Sequence, residues 1–101
     1  MTDAQVQYGA GFWTQKLRLN TEVTDAQAKA FAKSLEGLMQ KLGTEVAICS
    51  DIQPCSILRA ALKQAGIDET FWPKVKVDTV FHHSGTVDIW ENNAWRSVTP
   101  N

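Results

Sequence analysis

The sequence predicts an α+β domain, a two-layer sandwich in which two helices pack on one face of a mainly antiparallel sheet, in the order β-α-β-α-β-β-β. Two observations support this prediction. Between residues 24 and 42, apolar residues recur at spacings of three and four, as on one side of a helix. Between residues 74 and 98, apolar and polar residues alternate, as in half-buried strands. A fold class with separate helical and strand layers accommodates both patterns.

The composition is that of one globular domain spanning residues 1 to 101. A hydrophobic content of 44% with 21% charged residues is ordinary for a folded protein and argues against disorder. Ten basic and eleven acidic residues give a net charge of −1, so no sequence-wide basic surface points to nucleic acid.

The expected compartment is the cytoplasm, without membrane contact. No apolar run approaches the roughly 20 residues that a bilayer-spanning helix needs, and the first residues lack the pattern of a signal peptide. Cys49 and Cys55 are too few for a disulfide scaffold and fit a reducing compartment.

The first predicted element is a strand. Residues 1 to 10 are interpreted as a flexible lead-in, because they begin with polar residues and end in a glycine-containing segment. Trp13, Leu17 and Leu19 alternate with polar residues, which predicts a strand over residues 12 to 19.

The best-specified element is a helix over residues 24 to 42. Thr24 and Gln27 have the spacing of a capping box, in which each side chain binds the other residue's backbone N–H. Gly43 is predicted to end the helix in a left-handed conformation. The apolar stripe is expected to pack on the core and consists of Ala28, Phe31, Ala32, Leu35, Leu38, Met39 and Leu42.

A short strand over residues 44 to 49 and a second helix over residues 54 to 65 are predicted next. Pro54 is acceptable in the first turn of that helix, where its missing N–H has no partner in any case. Gly66 is predicted to end it. Phe71 and Trp72, in the following connection, are expected to close the edge of the core.

Residues 74 to 98 are predicted to form a meander of three strands, with turns at Gly85 and at Asn92-Asn93. A three-residue loop with Gly85 in the left-handed position sets Phe81 opposite Val87 and keeps the β-branched residues on one face. A two-residue turn would mix the two faces, so we favour the longer loop.

This register places two tryptophans together on the face opposite the helices. A two-residue turn at Asn92-Asn93 pairs Trp90 with Trp95, and aromatic residues of this size are enriched at the centres of interfaces. The alternative is that the pair only stabilises its hairpin, as cross-strand aromatic pairs do. A homodimer through this face would satisfy both interpretations. The candidate binding residues are Trp90, Trp95, His82, Val80 and Asp88.

The leading hypothesis is a small non-catalytic binding or regulatory module that acts through protein contacts and self-associates through this aromatic face. The alternative is a thiol-dependent redox or small-ligand-binding protein centred on Cys55, with Cys49 as resolving partner, because a helix N-terminus favours a thiolate. Against this alternative, Cys55 falls on an apolar stripe, and the two cysteines do not form a Cys-x-x-Cys motif. No other catalytic candidate is assigned.

No cofactor or metal is expected. The adjacent His82 and His83 point to opposite sides of a strand and are poorly placed to share one ion. The carboxylates of Asp78, Asp88 and Glu91 come without a nucleophile.

Nucleic-acid binding is a minority hypothesis because the overall charge is balanced. It would combine the tryptophans, on which bases stack, with cations that bind phosphates. The basic residues considered for this surface are Lys16, Arg18, Lys74, Lys76 and Arg96.

Overall fold

A computed structural model describes all 101 residues and contains three α-helices and five strands. In chain order these are α1 (Asp3–Leu17), α2 (Asp25–Gln40), β1 (Val46–Asp51), β2 (Gln53–Pro54), α3 (Ser56–Gln64), β3 (Lys76–Phe81), β4 (Val87–Glu91) and β5 (Ala94–Val98). A single turn of 3-10 helix, Glu69–Phe71, lies between α3 and β3. No helix is both long enough and apolar enough to cross a lipid bilayer.

The sheet has the strand order β2-β1-β3-β4-β5, and every neighbouring pair is antiparallel. The helices lie on one side of it. Their buried residues form one core with the inward-facing residues of the sheet, which include Ile48, Val77, Phe81, Val87 and Ile89. The predicted α+β class, with helices on one face of an antiparallel sheet, is therefore confirmed.

The first element is a helix, and the predicted strand over residues 12 to 19 is wrong. Residues 3 to 17 form α1, which also includes most of the predicted lead-in. Its buried residues Val6, Ala10, Trp13 and Leu17 recur at spacings of three and four, a helical period that an eight-residue window could not show. The helix layer consequently has three helices instead of two.

A repeated tetrapeptide carried the signal for α1. Thr-Asp-Ala-Gln occurs at residues 2 to 5 and again at residues 24 to 27. In both places the threonine is the N-cap residue and the glutamine completes a capping box. The same local motif that predicted the start of α2 thus also starts α1.

The predicted stop of α3 at Gly66 is confirmed, whereas the predicted left-handed stop of α2 at Gly43 is wrong. Gly66 has a φ of 70°, and the N–H of Ile67 donates to the Leu62 carbonyl at 2.9 Å, which confirms it as the stop of α3. Gly43 does not adopt a left-handed conformation; Glu45 does, with a φ of 58°. At the start of α3, Pro54 belongs to β2 and not to the first helical turn.

The register of the meander is confirmed. Phe81 lies opposite Val87, and Gly85 has the positive φ that the three-residue loop requires. Trp90 lies directly opposite Trp95 across a turn in which Asn92 and Asn93 both have positive φ, at 55° and 62°. One set of alternate side chains therefore meets the helices, and the other set points away from them.

Two buried tryptophans join the helix side of the core to the sheet by hydrogen bonds. The indole N–H of Trp13 donates to the Thr79 hydroxyl at 3.2 Å, and that hydroxyl donates to the Ile48 carbonyl. The indole N–H of Trp72 donates to the Ser50 hydroxyl at 2.9 Å. Because buried polar groups cost free energy unless they are paired, both tryptophans are held in one orientation.

Candidate functional site

The candidate site is the side of the sheet that faces away from the helices, here called the open face. The strand registers put ten residues on it: Ala47, Cys49, Asp51, Lys76, Asp78, Val80, Asp88, Trp90, Trp95 and Ser97. His82, which directly follows β3, joins them through its contact with Asp88. All five residues predicted from the sequence as binding residues are among them. Trp95 is 59% exposed, whereas Trp90 and Val80 are half-buried.

A straight row of side chains crosses the centre of the open face. Asp78 lies opposite Trp90, and Trp90 lies opposite Trp95; on the other side of Asp78 the row continues to Cys49. Directly opposite residues have Cβ atoms about 4.5–5.5 Å apart, so neighbours in this row are within contact distance. The row ends in two aromatic rings next to one carboxylate.

A shallow groove of about 290 Å³ runs along this row. Lys76 and Asp51 pair at one side of it, with 3.8 Å between the Lys76 Nζ and the Asp51 Oδ1. Asp78 is half-buried and takes part in none of the ion pairs of the protein. The groove is lined by Ser50, Asp51, Lys76, Val77, Asp78, Trp90 and Trp95.

His82 is the centre of a second group on the open face, the His82 cluster, formed with Glu45, Asp88 and Ser97. Its Nδ1 lies 2.7 Å from a Glu45 oxygen, and its Nε2 lies 3.0 Å from an Asp88 oxygen. The hydrogen bonds to these two carboxylates raise the pKa of His82. The hydroxyl of Ser97 donates to Asp88, and this bond together with His82 lowers the pKa of Asp88. The cluster thereby connects the loop before β1 with the start of the β3-β4 loop, β4 and β5.

The His82 cluster is not arranged for nucleophilic catalysis. A serine nucleophile needs an imidazole nitrogen free to take its proton. Here Ser97 donates to Asp88, and both nitrogens of His82 are engaged by carboxylates. Nor is any group of three or more His, Cys, Asp or Glu side chains placed to hold a metal ion. The contacts of the cluster hold neighbouring strands and loops together.

The two cysteines, both free, come together where β1 turns into β2. The N–H of Cys55 donates to the carbonyl of Cys49 at 3.0 Å. Burial, reinforced by the Asp78 carboxylate, raises the pKa of the Cys49 thiol, which disfavours the reactive thiolate. Cys55 is the N-cap residue of α3 and not a first-turn residue as predicted, and it packs against the core.

The other charged candidates are distributed over different parts of the molecule. Glu91 lies on the helix side of the sheet, where Lys16 binds it at 2.7 Å and Arg96 at 3.0 Å. Arg18 pairs with Asp25 at the start of α2. Glu91 is thus on the opposite side of the sheet from Asp78 and Asp88, which share the open face. Lys16, Arg18 and Arg96 are not residues of the open face.

The sequence indicates the position of Asp78 but not the contact between Glu45 and His82. The predicted register of β3 and β4 places Asp78 on the face of the tryptophans, although Asp78 was not among the predicted binding residues, and the structure sets it opposite Trp90. Glu45 had no such signal, because it lies in an irregular loop and reaches His82 only through the folded structure.

The open face thus carries the tryptophan pair, the groove and the His82 cluster. Comparisons with known proteins add no assignment. No protein-family model, curated protein or solved structure matches this chain.

Proposed function

We propose that this protein is a small non-catalytic binding or regulatory module that acts through protein contacts and self-associates as a homodimer through its open face. The observation that carries this proposal is the exposure of Trp95, 59% accessible beside the half-buried Trp90 on a sheet face without a covering helix. Tryptophan buries a large area at a small cost in side-chain entropy and is enriched at interface centres.

Stabilisation of the hairpin accounts for only part of this arrangement. A cross-strand aromatic pair contributes about 0.2–1 kcal/mol relative to a pair of alanines. That contribution needs contact between the two indoles, but it does not need Trp95 to leave most of its surface in water. A two-fold homodimer would bury the same patch on both copies, so the exposed indole of each copy would be removed from water.

The cytoplasm is the compartment in which we place this module. Both cysteines are unpaired, although the N–H of one binds the carbonyl of the other. Free thiols persist in a reducing compartment, where protein disulfides are rare.

The solution mass over a range of protein concentrations tests the proposal, measured by light scattering behind a sizing column. We expect a dimer for the natural protein and a monomer for the Trp90→Ser, Trp95→Ser double variant. Leu19→Ser is the matched control, because Leu19 is 61% exposed and lies just after α1, outside the open face. A natural protein that stays monomeric throughout, or a double variant as dimeric as the natural protein, would overturn the proposal.

A further inference from the structure

The groove on the open face holds one carboxylate whose charge the protein does not neutralise. Within the groove, Asp51 and Lys76 form a pair and cancel each other's charge. Asp78 is left over, half-buried and adjacent to Trp90 in the row. A carboxylate beside the faces of aromatic rings attracts a cation, because the ring quadrupole adds to the attraction of the negative charge.

The charges of the whole open face raise a difficulty for self-association. Glu45 and Asp88 flank His82, and Asp51 and Asp78 flank Lys76, so four acidic groups accompany two basic ones. Two such faces brought together would repel each other unless cations of one copy approach carboxylates of the other.

Lys76 is the cation best placed for such an exchange. Its side chain is 63% exposed on the open face, and its ion pair with Asp51 is loose, at 3.8 Å. Exposed pairs of this kind contribute about 0–1 kcal/mol, so the ammonium can leave Asp51 at little cost.

The geometry of the sheet lets the exchange occur in both directions at once. Lys76 and Asp78 are alternate residues on one face of β3, about 7 Å apart along the strand. A two-fold axis that runs across the strands between these two positions places Lys76 of each copy over Asp78 of the other. The lysine stem then passes beside Trp90, the neighbour of Asp78 in the row, and the groove of about 290 Å³ suits one side chain better than a cofactor.

We propose that the groove is the binding site for Lys76 of a second copy, whose ammonium group donates to the Asp78 carboxylate while its stem packs on Trp90. Each copy supplies one lysine and one groove, so the contact is reciprocal and closes at two subunits. This inference rests on the proposed function, since it names what the open face recognises.

Substitutions that reverse the charges of Lys76 and Asp78, singly and together, test the inference. Lys76→Glu and Asp78→Lys are each expected to weaken the dimer at least tenfold, measured as the dimer dissociation constant by sedimentation. The double variant carries both charges in exchanged positions and is expected to return to within threefold of the natural protein. Asp25→Asn is the control, because it removes an exposed intrachain ion pair, with Arg18, outside the groove and is expected to leave the dimer unchanged. Urea unfolding of each variant shows that the fold is retained.

The outcomes separate this inference from the proposed function. Single variants that dimerise like the natural protein, or a double variant as weak as either single one, would overturn the lysine exchange. If the tryptophan variants still abolish the dimer in that case, the proposed function stands alone. A natural protein that never dimerises removes both.

Discussion

At the scale of single residues, Gly9 determines how closely α1 approaches the sheet and α2. A Cβ atom added there would lie 2.5 Å from the Met39 Cε and 2.8 Å from the Phe81 Cζ. Real Cβ contacts are not this short. The Met39 methyl group ends a flexible side chain, but the ring of Phe81 is fully buried and has no space into which it can move.

Gly9→Ala is therefore expected to destabilise the protein by about 1–3 kcal/mol, the usual cost of overpacking a core. Gly11→Ala provides the control on the same helix, since its Cβ would meet nothing within 4 Å. There, the higher helix propensity of alanine is expected to add up to about 1 kcal/mol of stability. Urea unfolding of both variants measures the difference, and equal stability of the two would show that the close contact has no consequence.

Protonation of His82 makes the free energy of unfolding depend on pH. Its pKa is raised above the ordinary 6.5, so its stabilising contribution is complete below that value and is lost as the pH rises through the raised pKa. The hydrogen bond with His82 lowers the pKa of Glu45 from its ordinary 4.5. The pKa of Asp88 is lowered from its ordinary 3.8 by the hydrogen bond from Ser97 and then by the one with His82. Their contributions are present above those ordinary values and disappear as the pH falls through the lowered ones. The cluster is thus most stabilising between pH 4.5 and pH 6.5.

His82→Gln is expected to lower the urea midpoint more at about pH 5.5 than at about pH 8.5, because only the protonated imidazole binds both carboxylates favourably. His83→Gln serves as control, since the His83 side chain is 78% exposed and lies 3.8 Å from Glu45. It should show little of this pH dependence. A His82→Gln effect of the same size at both pH values would contradict an ionic role for the cluster.

At the scale of elements, two helices use the same tetrapeptide for different purposes. In α2 the side chain of Gln27 accepts only from the backbone N–H of Thr24. In α1 the equivalent Gln5 accepts from Thr2 and also donates to the carbonyls of His82 and Thr86, at 2.7 Å and 3.0 Å. Gln5 is fully buried, so one capping residue also fastens α1 to the β3-β4 loop.

Gln5→Ala is expected to cost about 1–3 kcal/mol, because it removes the cap bond and both bonds to the loop. Gln27→Ala makes the same chemical change in the other capping box and is expected to cost about 0.5–1.5 kcal/mol, one net hydrogen bond. Thermal or urea unfolding compares them. If the two variants lost the same stability, the bonds from Gln5 to the β3-β4 loop would contribute nothing.

At the scale of the whole molecule, the three helices share one side of the sheet and leave the other side to the row, the groove and the His82 cluster. The inner face is apolar and packs against the helices. The outer face combines the exposed Trp95 and the half-buried Trp90 with four acidic and two basic groups. β5, at the edge of the sheet, carries most of its side chains exposed. The open face is therefore the side of the sheet that the helices leave accessible to a partner.

Local signals in the sequence were sufficient for several features. The capping box of α2, the stop at Gly66 and the pairing of Trp90 with Trp95 each depend on residues only a few positions apart, whose backbone preferences and hydrogen bonds act within one turn or hairpin. The period of two then assigned alternate residues to the open face, which also placed Asp78 and His82 there.

Other features were decided only by tertiary structure. Residues 12 to 19 alternate like a strand, but burial of the longer stripe from Val6 to Leu17 makes residues 12 to 17 part of a helix. Gln5 attaches this helix to His82 and Thr86, which lie 77 and 81 positions further along the chain. The contact of Glu45 with His82 likewise joins residues 37 positions apart. Asp78 takes part in no ion pair, whereas Lys76, two residues away on the same face, pairs with Asp51 on another strand. Such contacts form between segments that are distant in the chain, so no short stretch of sequence encodes them.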